Sequence, residues 1–319
     1  MAASDQGRWN RWLGRRPLRT LLRMMAAVVG VGATGWLLTM LWPEPDQVAK
    51  GAPPSLSDPT SLAPFPESPV TVLVIGVDAD RLTDPSNQAA PRGPANADAL
   101  LLMRVEANAS LQVLQLPTEL AVRLPGRTSP MTLSSVWKAG GVALTADAVR
   151  EIVGLPAEEL QRYVVLPRQS LRALVDGLGE VDVILSQSYQ RSDKTQGYKI
   201  DLQAGHQSLN GAQAEQLVRY KKDDSDEVNR RERQQMLMRA MLEQLQAPSG
   251  IVSIGAVLNE INLQLDTNLS LSEMLSLAAA VIASPSRVSF TQLSLAPRAG
   301  KQALRQLKPG QTLPLWPQP

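Results

Sequence analysis

Residues Val70–Val77 read VTVLVIGV, a nearly unbroken apolar run. A strand with one wet face alternates apolar and polar side chains. This run does not, so it is read as a buried strand of the kind that α/β sheets cover with helices. It ends in Asp78, and acids at strand ends in such sheets face the ligand crevice. After a polar, proline-containing loop (79–95), Asp98 precedes a second strand, ALLLMRVE, and LQVLQL from Leu111 forms a third, joined by a turn over Ala107–Ser110. Asp78 and Asp98 thus flank neighbouring strands. Paired hard oxygens suit magnesium, which keeps some of its waters. Taken singly, each acid also fits a cap or turn.

The rest of the chain mixes short strands with helices. A helix is expected over Leu133–Val153, kinked or broken at Gly140-Gly141, and a strand over Tyr163–Leu166. A helix over Gln169–Leu178 ends at the C′ glycine Gly179, followed by a strand over Val181–Leu185. Arg230–Leu245 reads as a long helix whose Leu237, Met238, Met241, Leu242 and Leu245 recur at helical spacing, either as core or as the lining of a groove. Ser270 and Glu273 form a capping box for a helix ending near Ala283, and Val288–Leu295 is a last strand. One α/β domain over about residues 70–300 accommodates all of this, with Lys301–Pro319 as a loose tail.

The segment Leu202–Gln235 concentrates charge. Strand, Asn210-Gly211 turn and helix (Ala212–Leu217) lead into a loop carrying Arg219, Lys221 and Lys222, then Asp223, Asp224, Asp226 and Glu227. The next helix opens with Arg230, Arg233 and Gln234 at i, i+3 and i+4. Arg219, Lys221, Arg230, Arg233 and Gln234 are candidates to converge on one anion, since guanidinium forks match phosphate oxygens. The alternative is a solvated, salt-bridged loop.

At the other end, Met24–Trp42 carries no charge across 19 residues. As a helix it is about 28 Å long, close to the hydrocarbon thickness. Six arginines precede it and Glu44 and Asp46 follow, so the positive-inside rule puts residues 1–23 in the cytoplasm and the main domain outside. A cleaved signal peptide and a buried core helix are the rivals. Pro43–Pro69, with eight prolines, reads as an extended spacer. Without the first 23 residues, 26 basic side chains face 29 acidic ones, so the domain itself is no nucleic-acid surface. The absence of cysteine excludes thiol and zinc-thiolate chemistry, and the single histidine, His206, sits in a polar turn.

In order along the chain, VLVIGVDAD, NADALLLMRVE, LQLPTELAVRLPG, the helix reaching Gly140-Gly141, LVDGLGEVDV and LQAGHQSLNGAQAEQLVRYKK…NRRERQ resemble the motifs of the LytR-CpsA-Psr family of membrane-anchored envelope proteins. The match covers roughly residues 70–245. The resemblance implies a single mixed-sheet, three-layer α/β domain outside a bacterial cytoplasmic membrane, held by an N-terminal transmembrane helix. It implies transfer of a glycan phosphate from a polyprenyl-pyrophosphate carrier to peptidoglycan or another envelope acceptor, with the lipid tail in an apolar groove between sheet and helices. Magnesium would sit on Asp78 and Asp98, catalysis would involve Asp78, Asp98 and Arg219, and Arg219, Lys221, Arg230, Arg233 and Gln234 would hold the pyrophosphate. Five positions depart from the pattern. Asn96 and Thr118 stand where arginines are expected, Glu119 replaces an Asp, Lys221 replaces the second Arg of the loop, and Glu227 replaces the Asp three residues before Arg230. A catalytically impaired module that binds polyprenyl phosphate or glycan is the alternative these departures raise.

Overall fold

A computed structural model describes residues 59, 62–84, 95–106, 110–193, 198–223, 226–283, 288–298 and 304–317. The basic tail, Met24–Trp42, most of the proline-rich spacer and Asp224 lie outside the described residues. Among the described residues no helix is long and apolar enough to cross a membrane.

The VTVLVIGV run is β1 (Val70–Val77), with β2 (Ala97–Val105) and β3 (Leu111–Leu116) after it, then a two-residue ribbon, β4 (Ala121–Val122) with β5 (Met131–Thr132). Helix α1 (Leu133–Val153) follows, broken at Gly140 and Gly141 as the glycine pair requires, then β6 (Arg162–Leu166) and α2 (Arg168–Leu178), which ends on left-handed Gly179. Next come β7 (Val181–Leu185), β8 (Tyr189–Asp193), β9 (Tyr198–Leu202), β10 (Gly205–Leu209), α3 (Gly211–Arg219), α4 (Glu227–Gln246) and α5 (Pro248–Asn262). The chain closes with β11 (Asp266–Thr267), α6 (Leu271–Ala283) and β12 (Val288–Gln292).

Six strands form one mixed sheet in the order β11-β6-β1-β2-β3-β12. β1 runs antiparallel to β2 and parallel to β6, and β12 runs parallel to β3. Leu73, Ile75 and Val77 join Leu100, Leu102, Leu114 and Leu116 beneath Val136, Val149 and Val153 of α1. On the opposite face, Val72 packs with Met274 of α6, with Leu258 of α5 against them. Leu101, Val105 and Val113 meet Ala280 and Val281 of α6, flanked by Met238 and Leu242 of α4. Both faces are covered, which is why β1 shows no alternation. A separate core forms where α2, α3 and α4 meet the β7/β10 and β8/β9 ribbons, around Val175, Val183, Leu202, Leu217 and Leu237.

Two local devices fix α3. Asn210 caps it, accepting from the Gln213 amide nitrogen at 2.9 Å while Gln213 accepts from the Asn210 N–H at 3.1 Å. Gly211 is obligatory because a Cβ there would lie 2.3 Å from the Arg172 carbonyl oxygen.

The expectation of a loose tail after Lys301 is corrected. Arg305 pairs with Leu120 and Leu307 with Leu295, the Leu315 N–H donates to the Val153 carbonyl at 2.8 Å, and Trp316 is fully buried in the core under α1. The segment is rich in Pro and Gln and has no periodicity, so its one large aromatic anchor carries no pattern. Helix α5 and the β8/β9 ribbon also escape the sequence reading.

Candidate functional site

Asp78 continues β1 beyond its last sheet residue, and its N–H donates to the Asn96 carbonyl at 2.9 Å. Pairing across β1 and β2 runs Gly76 to Ala99 and then Val77 to Ala97, so Asp98 is the extra residue of a bulge. A bulge re-aims a side chain that regular alternation would send elsewhere. Gly76 lets the strands approach here, since a Cβ on it would come within 3.1 Å of the Ala99 Cβ.

Both acids line the mouth of an apolar cavity of about 380 Å³ between the sheet, α2, α4, α5 and α6. Its walls include Leu101, Met103, Leu174, Met241, Leu245 and Leu258. All five residues of the α4 stripe line it, and the stripe serves as core as well: Leu237 is buried in the second core, Met241 packs against it, and Met238 and Leu242 flank the α6 cluster. At the mouth, with Asp78 and Asp98, stand Arg168, Glu215, Arg219, Arg230 and Gln234.

Arg230, from the first turn of α4, is 3.2 Å from an Asp98 oxygen, 2.8 Å from Glu227 and 3.4 Å from the Thr118 hydroxyl. Burial opposes its charge, but Asp98 and Glu227 outweigh burial and raise its pKa further. Gln234 accepts from Gln115 at 3.0 Å and donates to the Asp98 carbonyl at 3.4 Å. The Pro117-Thr118-Glu119 segment, where the family resemblance expects arginine and aspartate, is clamped onto α4 instead. Buried Glu119 takes Arg231 in both carboxylate oxygens at 2.7 Å.

Glu215 is the hub of the other side. It accepts from Arg168 at 2.8 Å, from Arg219 at 3.0 Å and from Arg172. Burial pushes its carboxyl up, but the hydrogen bonds from Arg172 and Arg168 win and hold it below its ordinary 4.5. Arg219 also stacks over the Tyr198 ring, 3.9 Å from its centre. Burial first, and Glu215 second, push the Tyr198 hydroxyl up to about 12, so the ring stays neutral.

Because the folded pKa of Glu215 lies below its unfolded value, the unfolded chain binds the extra proton. The stabilisation is complete above about pH 4.5 and fades as pH falls through the lowered value. Thermal unfolding midpoints should therefore fall steeply on acidification below about pH 4.5, and less steeply in Glu215→Gln. Glu227 and Asp226 shift in the same direction, so some slope persists in the variant.

Of the residues expected from sequence, Asp78, Asp98, Arg219, Arg230 and Gln234 come together. Two do not line the cavity. Lys221 pairs with Glu227 at 2.6 Å and so supports Arg230 indirectly. Arg233 is buried, bonds Asp226 at 2.9 Å and the Tyr220 carbonyl, and lies against the Tyr189 and Tyr220 rings. Successive helical residues turn by about 100°, so Arg230 and Gln234 share the cavity face while Arg233 falls on the next. Sequence reading missed Arg168 and Glu215. Arg168 follows β6, the parallel neighbour of β1, so it emerges at the same sheet edge as Asp78. That placement becomes readable only once the parallel pairing is known.

Fold and site define a mixed α/β domain with an apolar cavity whose mouth is ringed by paired acids and arginines. Residues 48–308 match the LytR_cpsA_psr family, and the chain belongs to it. It is 22% identical over 266 residues to the polyisoprenyl-teichoic acid–peptidoglycan teichoic acid transferase TagV of Bacillus subtilis, covering 81% of this chain and 65% of that protein. It is 28% identical over 214 residues to TagT of the same organism, which carries the same transferase description, covering 65% of this chain and 62% of that one. The chain thus spans just under two thirds of the length of these relatives. The crystal structure of B. subtilis TagV shares the fold, with a TM-score of 0.61 at 19% identity over 76% of this chain and 91% of that one.

Proposed function

We propose that this chain transfers a glycan phosphate from a polyprenyl-pyrophosphate carrier to peptidoglycan or another envelope acceptor. The observation that carries this reading is the cavity, greasy along its walls and charged only at its mouth. Such a shape suits an amphiphile with an apolar tail and an anionic head. The transferase descriptions of the relatives support the same class of substrate and acceptor. The apolar run Met24–Trp42 is proposed as a single membrane anchor, with the arginine-rich N-terminus on the cytoplasmic side and the domain outside.

In the proposed step an acceptor hydroxyl oxygen bonds to the phosphorus next to the glycan. The bond from that phosphorus to the bridging oxygen breaks, polyprenyl monophosphate departs with the electron pair, and the hydroxyl proton leaves to solvent. Positioning and charge neutralisation supply most of the rate in such a transfer. Arg219 and Arg230 would neutralise phosphate oxygens, Gln234 would orient the head group, and the apolar walls would exclude water from the tail. Asp78 and Asp98 fit a magnesium ion: two hard carboxylates at an open mouth leave room for water and phosphate. Among the described residues no cluster of three or more His, Cys, Asp or Glu side chains occurs, so water and phosphate would have to supply most of the ion's ligands. When bound, magnesium would offset the negative charge of the pyrophosphate.

The test is turnover by the full chain of a polyprenyl-pyrophosphate-linked glycan with peptidoglycan and magnesium. Asp98→Ala should lower the rate about a hundredfold, the scale of losing one charge stabiliser. Equal rates in variant and wild type would reject the assignment. Asn96 and Thr118 favour a second reading, a binding module without turnover. Lipid binding with no product from the wild type would select it.

A further inference from the structure

We propose that Arg168 binds phosphate oxygens at the cavity mouth, as a third guanidinium beside Arg219 and Arg230. The inference rests on reading the cavity as a polyprenyl-pyrophosphate site. Arg168 opens α2 directly after β6, whose parallel pairing with β1 brings it to the edge where Asp78 stands. It lines the cavity, and its side chain is 14% exposed.

A guanidinium carries five N–H donors. Glu215 takes one from Arg168 at 2.8 Å. The other nearby carboxylates stand back, with Asp80 3.9 Å from one terminal nitrogen and Asp78 4.0 Å from Nε. Those separations are too long for hydrogen bonds, and the buried Nε has no hydrogen-bond partner. A buried donor left unmade costs free energy that a ligand oxygen restores.

The backbone offers no substitute. The first N–H groups of α2 are already spent, from Arg168 to the Ala79 carbonyl at 2.9 Å and from Gln169 to the Asp80 carbonyl at 3.1 Å. The side chain is therefore the donor at this corner. Glu215 accepts from Arg168, Arg172 and Arg219, and Arg172 is also held by Asp80 at 2.7 Å, so Arg172 is fully engaged while Arg168 keeps an unpaired edge. A fork held on one side by Glu215 is oriented to present its other edge to an anion.

Binding of farnesyl diphosphate and of farnesol to the full chain in detergent, measured by titration calorimetry in magnesium buffer, tests this. Wild type should prefer the diphosphate. Arg168→Gln should weaken the diphosphate about tenfold to a hundredfold, the range for a charge-assisted hydrogen bond, and leave farnesol unchanged relative to wild type. Arg168→Lys should recover part of the loss, and Arg150→Gln, a charge change in the exposed Arg150–Asp147 pair, should change nothing. If wild type prefers the diphosphate and both Arg168 variants match it, Arg168 is no phosphate ligand and the cavity reading stands. Equal loss of both ligands in Arg168→Gln would make the residue a wall support and overturn the inference. If wild type shows no preference for the diphosphate, the cavity reading falls, and the inference with it.

Discussion

Arg230→Gln should lower transfer by about a thousandfold while the domain stays folded. The guanidinium is buried and bridges Asp98 at 3.2 Å and Glu227 at 2.8 Å. Breaking a fully buried pair costs about 3–5 kcal/mol when the partner is stranded. Neither partner is stranded here. Asp98 is 41% exposed, and Glu227 keeps Lys221 at 2.6 Å. The stability loss should therefore fall well below that range. The rate has no such relief, because a preorganised charge aimed at phosphate is worth about 10²–10³ by itself and Arg230 also orients Asp98. Arg230→Lys keeps the charge but loses the fork, so its rate should fall between the two. Turnover and thermal unfolding measured on the same samples separate the effects. A variant that turns over normally would remove Arg230 from the site.

Trp316→Ala should destabilise the domain by about 3–5 kcal/mol, the range for emptying a buried aromatic site. Trp316 is fully buried with α1 and the sheet, although it lies only three residues from the C-terminus. Its indole N–H has no partner, so Trp316→Phe removes an unsatisfied donor along with some contact area and should cost much less. Denaturant unfolding checks both. A Trp316→Ala midpoint equal to wild type would return the C-terminal segment to the loose tail its composition implied.

The contrast between these two residues shows what a sequence can carry. The strands β1, β2 and β3 were legible because their buried faces leave near-continuous apolar runs, and the helix ends at Gly179 and Ser270 because caps have local chemistry. Asp78 and Asp98 were legible as strand-edge acids. The bulge that aims Asp98 was not, since it depends on the register with β1. Arg233 was misplaced by one helical face, because spacing alone does not say which flank of Arg230 meets the cavity. Arg168 and Glu215 are joined across 47 residues by tertiary packing, and no local pattern announces the pair. The α4 stripe serves as both core and groove: all five residues line the cavity, Leu237 is also buried in the second core, and Met238 and Leu242 also flank the α6 cluster.

The transferase reading requires the lipid tail in the cavity and its head group at the arginines. A crystal structure of the protein with a polyprenyl diphosphate and magnesium tests that directly. The tail should lie between α4 and the sheet, against Leu101, Met241 and Leu258, with phosphate oxygens within hydrogen-bond distance of Arg219 and Arg230. A tail bound elsewhere, or an empty cavity with the head group away from these arginines, would contradict it.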